Sequence, residues 1–414
     1  MKTDSLLPIT IAFLASVAGP SSLLAQGPLS PGAAPAPTMK TLDQVEPRTP
    51  ISSLPHSITA AGSYYLTANL TGVSGSNGIT IEASDVTLDL NGFALIGVPG
   101  SLEAVAVPAA RHNLAIRNGS VRDWGLDGVN ALNADNSILA GLRAYRNGLE
   151  ASFEDGLRVG QNSVVRDCTA EANGRFGIFA DDGSTVTGCA ASLNGDNGIV
   201  VSDYGVVSDC SAKENGFNGI KANLSSTVRG CSAFDNAWNG VDVGSYSTVR
   251  DCATYANDRT GVRANFGCTV IGCAAGSNAV DGIEVSQRCK VTDCSTAFNV
   301  GDGIEANRDC SIERNVCVGN GNFGDGAGVH TTNGPNVIDG NFVSGNDRGI
   351  DVDFGLRSSL IIRNRASNNG SNYEIVANNK VGVIVAAPNT TTAISGSVGG
   401  AGVGTTDPWA NFSF

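Results

Sequence analysis

Residues 226–246 read STVRGCSAFDNAWNGVDVGSY, and residues 247–267, directly after them, read STVRDCATYANDRTGVRANFG. The two segments align without a gap, and the alignment extends in both directions. Cys168, Cys189, Cys210, Cys231, Cys252, Cys273 and Cys294 are each 21 residues apart, and Cys268, Cys289 and Cys310 form a second column with the same period. Three residues before the first column runs an apolar column from Val165 to Ile312. Five residues after it runs an asparagine column: Asn173, Asn194, Asn215, Asn236, Asn257, Asn278, Asn299 and Asn320. Gly-Ile or Gly-Val pairs recur from Gly177-Ile178 to Gly303-Ile304.

Several columns locked to one period are the mark of a solenoid. Within each unit the apolar residues sit two apart, as in Ile199 and Val201, which is strand spacing. Glycines and polar residues separate these short segments, as corners require. No proline lies between Pro108 and Pro335, so nothing in that stretch removes a ladder donor. The reading is all-β: a single right-handed parallel β-helix with one coil per 21 residues, equivalent positions stacking at about 4.8 Å. The asparagines are expected to form a hydrogen-bonded ladder. The cysteines are expected to be buried free thiols, because stacked Cβ atoms about 4.8 Å apart exceed disulfide reach. His56, His112 and His330 stand outside the columns, which gives the cysteines no metal-ligand partners.

Composition sets outer bounds. Lys+Arg 26 against Asp+Glu 39 gives a net charge of −13, which argues against nucleic acid or an anionic membrane surface as the main partner. Residues 1–25 read as a signal peptide, with Lys2, an apolar run Leu6–Val17, and Ala18 and Ala25 as small residues near cleavage. This implies export to the periplasm, cell surface or medium. No later run is long enough to suggest membrane insertion. Residues 26–50 are a proline-rich linker. The β-helix is assigned to 51–388, with 51–75 as its N-terminal cap, and 389–414 as a C-terminal cap or tail.

The chain resembles right-handed parallel β-helix proteins of the pectin-lyase-like superfamily, and within it exported bacterial β-helix proteins. The closer resemblance is carried by Pro37-Thr38-Met39-Lys40-Thr41-Leu42-Asp43, Gly62-Ser63-Tyr64-Tyr65-Leu66, Val86-Thr87-Leu88-Asp89-Leu90-Asn91-Gly92 and Pro408-Trp409-Ala410-Asn411. The superfamily hosts lyases, hydrolases, epimerases, adhesins and binders, so the resemblance implies a fold and a carbohydrate setting rather than one reaction. The Asn-Thr-Asp and Gly-His-Gly motifs of polygalacturonases and the Asp-Pro-His-Asp motif of mannuronan epimerases are absent. Asp181-Asp182 reads as a polar corner.

A solenoid binds along a face, so function is sought in outward columns. The residue after each Gly-Ile pair gives the row Lys221, Asp242, Arg263, Glu284 and Glu305, flanked by Asp281 and Asp302 and extended by Asp351 and Asp353. A second column holds Arg175, Asp196, Phe217, Trp238 and Arg259. Aromatic and charged groups along a rigid β face suit a polysaccharide or cell-surface glycan. The same row also reads as an alternating-charge ladder that keeps an exposed sheet soluble. The period lengthens to 26 between Asn320 and Asn346, which places extra residues in Phe323–Asn336, including Asp325 and His330. The two functional readings are a glycan binder or surface structural protein, and a polysaccharide lyase or uronate epimerase. The second would draw its base from Lys221, Arg263 or His330, with Ca²⁺ between Asp242 or Glu284 and a substrate carboxylate.

Overall fold

The computed structural model describes residues 46–148, 154–321, 324, 326–353, 358–386 and 405–414. The signal peptide and nearly all of the linker lie outside these residues, as do Phe323 and Asp325. The chain divides into Met1–Pro47 and a body from Arg48 to Phe414, and the body is the solenoid.

Each regular coil carries three short strands, such as Ile220–Ala222, Thr227–Arg229 and Ser232–Phe234. The first strands of successive coils form a 15-stranded sheet running from His56–Ile58 to Ser371–Ile375. The second and third strands form two further stacks, which fuse where Ala115–Arg122 and Ile138–Tyr145 run straight through both. Every strand pairing among the described residues is parallel, with neighbours offset by one coil, for example Ile220↔Val241↔Val262↔Ile283. The described residues contain no helix, and so none long and apolar enough to cross a membrane.

The three bends in each coil are made by single residues in left-handed backbone conformation. In the neighbourhood of Trp238 these are Ser225 (φ 54°), Gly230 (φ 61°) and Asp235 (φ 54°), and 28 such residues besides the glycines are spread along the body. Left-handed backbone costs an ordinary side chain roughly 1–2 kcal/mol, so each bend needs compensation. The residue after each bend supplies it. The Oδ1 of Asn236 accepts both the backbone N–H (3.1 Å) and the side-chain N–H (3.0 Å) of Asn215, whose other amide hydrogen goes to Ala191 O at 3.2 Å. This ladder runs from Asn147 through Asn369 to Asn372.

The cysteine columns turn out to be corner ladders of the same kind, a role beyond space filling. The backbone N–H of Cys168 donates to Cys189 Sγ (3.5 Å), and the thiol of Cys210 donates to Ser208 O (3.1 Å). Where the first column changes to Asn315, Asn341 and Asn364, the ladder continues with oxygen in place of sulfur. All eleven cysteines are buried and free. Val165, Val186, Val207, Val228 and their equivalents fill the interior without measurable exposure.

Within 51–75, His56–Ile58 and Gly62–Leu66 pair in register with the next coil. The tail returns to the stack as Asn411–Ser413, which pairs with both Arg365–Ser367 and Ile384–Ala386, and Asn411 takes the rung above Asn364.

Two measurements test this account. Asn236→Ala removes the acceptor for two buried donors and should cost about 2–4 kcal/mol in denaturant unfolding. A cost below 0.5 kcal/mol, on the order of a surface change, would remove the ladder from its central place. Alkylation under denaturing, non-reducing conditions should label most of the 11 thiols, whereas labelling of three or fewer would show bridging. Cys231→Ser should fold, and Cys231→Asp, which buries a charge in the column, should not.

Candidate functional site

The first sheet brings the expected row together. Lys221, Asp242, Arg263, Glu284 and Glu305 lie in register on five consecutive strands with their side chains half-buried on the outer face. The row then continues through His330, Asp351 and Glu374. His330 was expected in a lengthened loop, yet it sits in the strand Ala327–Thr331, directly beside Glu305. Strand equivalences show why. Val329 follows Ile304 by 25 residues and Ile338 follows Ile312 by 26, so four of the five extra residues precede the strand, at the corner after Asn320. A second 26-residue coil, from Asn147 to Asn173, widens the same corner upstream and went unread because the spacing there is looser.

Charges alternate along the first part of the row. Arg263 lies 3.7 Å from Asp242 and 3.5 Å from Glu284. Burial raises the Asp242 carboxyl, and Arg263 with Lys221 partly offsets this. Among the described residues, neither Lys221 nor Arg259 has a carboxylate within ion-pair distance.

Beyond Glu284 the alternation fails and acid accumulates. Glu305 is raised by burial and by the nearby Asp302 and Glu284. His330 bridges this cluster, with Nδ1 2.8 Å from Asp302 and Nε2 3.0 Å from Asp353. Burial alone would lower the imidazole, but Asp302 and Asp353 overcome it and push it up to about 10. A ring protonated at neutral pH has no lone pair to offer as a base. Asp351 is buried, is raised by that burial, and forms an ion pair with Arg348. The sets Asp302, Glu305, His330 and His330, Asp351, Asp353 each bring three ligand atoms within 4.8 Å of one another, whereas Asp242 and Glu284 are both held by Arg263.

A further ladder borders the row, formed by the residue before each glycine. Asn197, Asn218 and Asn239 each accept the backbone N–H of the next coil at 3.1–3.2 Å. Farther along, Asp281 and Asp302 do the same at 2.7 and 2.6 Å. Burial, reinforced by Asp302 and Glu305, lifts Asp281 to about 7. At the opposite end, Asp127 and Asp155 occupy the same column, with Arg158 contacting both and Arg175 making a two-pronged pair to Asp155 at 2.8 Å.

Phe217 and Trp238 stack at 4.9 Å with their planes 18° apart, and the Arg259 guanidinium covers the indole at 4.1 Å. Both faces of Trp238 are therefore occupied, and it presents an edge. Beside it opens a cleft of about 350 Å³ lined by Trp238, Asn239, Arg259, Thr260, Arg263, Val280 and Glu284. Among the described residues, the buried side-chain NH₂ of Asn239 finds no hydrogen-bond partner. Asp181-Asp182 is a corner as expected, with Asp182 accepting the N–H of Asp203 at 3.0 Å.

Residues 64–205 match the family model described as the right handed beta helix region. No curated protein matches the chain by sequence. Among solved structures, the A-module of the Azotobacter vinelandii mannuronan C-5 epimerase AlgE4 aligns at 15% identity and a TM-score of 0.45, covering 64% of this chain and 84% of that one. A double mutant of the periplasmic alginate epimerase AlgG aligns at 11% identity and TM-score 0.45, covering 69% and 79%. The catalytic domain of a GH87 alpha-1,3-glucanase aligns at 11% and 0.41, covering 81% and 70%. At these identities no residue role carries over.

Asp281 offers a direct test of the site's electrostatics. A carboxyl raised in the folded state gives stability that falls as pH rises from about 4 through about 7. Asparagine already serves this ladder position three times, so Asp281→Asn should match the parent near pH 4 and exceed it by about 4 kcal/mol at pH 8 in thermal unfolding. Equal stability at both pH values would mean that Asp281 is not strained.

Proposed function

We propose that this parallel β-helix is exported and binds a polysaccharide along the outer face of its first sheet, from Lys221 to Glu305. One observation carries this reading. The cleft beside Trp238 gathers unpaired hydrogen-bonding capacity: among the described residues Arg259 has no carboxylate partner and the Asn239 amide no acceptor, and Lys221, outside the cleft lining, has no carboxylate partner either. A buried donor without an acceptor is costly, and a hydroxyl or carboxylate oxygen of a sugar would satisfy it. The straight, in-register row suits a linear polymer, whose repeating units can meet successive coils. Export rests on the apolar run Leu6–Val17 behind Lys2. Because Trp238 is covered on both faces, recognition here is polar, with the aromatic edge as a wall and Arg259 as the contacting cation.

The lyase or epimerase reading is narrower. Arg263 is held between two carboxylates and His330 is protonated, which leaves Lys221 and the near-neutral Asp281 as proton-transfer candidates. A Ca²⁺ ion at Asp242 and Glu284 would have to displace the Arg263 guanidinium.

The test is a glycan array of acidic and neutral polymers, run beside an absorbance assay for unsaturated uronides, with and without Ca²⁺, and NMR of the treated polymer for epimerisation. Arg259→Ala should weaken binding of a retained glycan about tenfold, and removing Phe217 and Trp238 together should do at least as much, since they hold the guanidinium in place. Retained affinity in both variants would move the site elsewhere. Product formation abolished by Lys221→Ala would establish the lyase reading in place of simple binding.

A further inference from the structure

The second cysteine column lies on a different corner from the glycan face, between the first and second strands of the coil. In six coils this position is serine, and its hydroxyl does the structural work: the Ser137 N–H donates to Ser163 Oγ, and the Ser226 N–H to Ser247 Oγ, both at 3.0 Å. Farther on, Asn336 and Ser359 resume the same role with oxygen. Only Cys268, Cys289 and Cys310, on three consecutive coils, present sulfur, and the ladder does not need it there. Those three coils also floor a cleft of about 540 Å³, walled by Arg288, Lys290, Asp309, Pro335 and Leu360.

We propose that Cys268, Cys289 and Cys310 form a binding site for a soft monovalent metal ion of the Cu(I) class, held between Cys289 and an adjacent sulfur. Thiolates favour soft ions. Parallel coils set neighbouring sulfurs about 4.8 Å apart, and a linear S–metal–S unit with bonds of about 2.3 Å spans about 4.6 Å. A tetrahedral zinc site would need sulfurs about 3.8 Å apart and four donors, which this corner does not offer.

The middle thiol is the one prepared for ionisation. It is flanked in sequence by Arg288 and Lys290, and its Sγ already accepts the backbone N–H of Cys268 at 3.4 Å, a donor that a thiolate would keep. Binding releases the S–H proton of each coordinating cysteine to solvent. It also breaks that cysteine's thiol hydrogen bond, among those to Gly244 O (3.2 Å), Asn265 O (2.9 Å) and Ser286 O (3.4 Å).

The experiment is an anaerobic titration of the reduced full chain with Cu(I), using bicinchoninate as competing chromophore, followed by X-ray absorption of the copper. The parent should withdraw about one equivalent, with two sulfur scatterers on the metal. The variant Cys268→Ser, Cys289→Ser, Cys310→Ser should withdraw none. Serine occupies this position in neighbouring coils, so the variant should retain the parent circular dichroism, and the single Cys289→Ser serves if it does not. The control Cys210→Ser, Cys231→Ser, Cys252→Ser should bind like the parent. The proposal is overturned by a parent that fails to compete, by serine variants that bind undiminished, or by a control that loses binding equally.

Discussion

The structure depends on one recurring interaction: a side-chain acceptor at a corner takes the backbone N–H of the equivalent residue one coil away. At each corner the left-handed residue keeps its backbone bond to the next coil, as Ser225 does to Ser245 O, but the residue after it finds no backbone acceptor and turns to a side chain. Left unmet, each such buried donor would cost about 1–3 kcal/mol, and the body has three corners per coil. Asn, Ser, Cys and Asp all meet the need at different corners. What they share is a short side chain with an acceptor two or three bonds from Cα, able to reach its neighbour only if the coils stay in register. The ladders therefore set the period. An extra residue inside a strand would break its rungs, whereas five extra residues after Asn147 and four after Asn320 are absorbed because they fall between a rung and the next glycine.

Strict register has consequences on the outside. Like positions stack directly upon one another, so aromatic rings in a column meet face to face and use up the faces a sugar would need, as Phe217, Trp238 and Arg259 show. Charges in a column meet their neighbours at strand distance, where opposite signs help and like signs cost. Lys221, Asp242, Arg263 and Glu284 obey that rule. Glu305, Asp302, Asp351 and Asp353 break it, and one histidine with two occupied nitrogens restrains the strain.

How much of this was legible follows from what each residue's neighbours are. Columns separated by a constant 21 residues expose the fold, the strand-facing valines and the outward row directly, because sequence distance converts to spatial distance without further information. His330 was misplaced because the insertion could be counted but not positioned. The length of the Asn320–Asn346 interval does not say which corner absorbs it, and only the strand pairing of Val329 with Ile304 does. The thiols were read as apolar filling since a cysteine column and a valine column look alike in one dimension. Their hydrogen bonds to backbone carbonyls emerge only when the corner geometry is known. The covered faces of Trp238 are a similar case: stacking within the column was readable, but its cost to ligand binding requires the third member, Arg259, to be seen lying over the ring.

The ladder beside the row separates structural from other demands within a single column. Asn197, Asn218, Asn239, Asp281 and Asp302 accept the same backbone hydrogen bond from the same place in successive coils. Asparagine does this without charge, so nothing in the folding of the solenoid calls for aspartate. Yet acid replaces amide where the outward row also turns acidic, and burial makes Asp281 hold its proton to about pH 7. A group that weakens the fold where a neutral equivalent is available marks a position shaped by something other than folding. The same contrast holds at Cys268, Cys289 and Cys310 against the serines of their column. In a repeat protein each coil acts as a control for its neighbours, and departures that the ladder does not require are where the chemistry of this surface is concentrated.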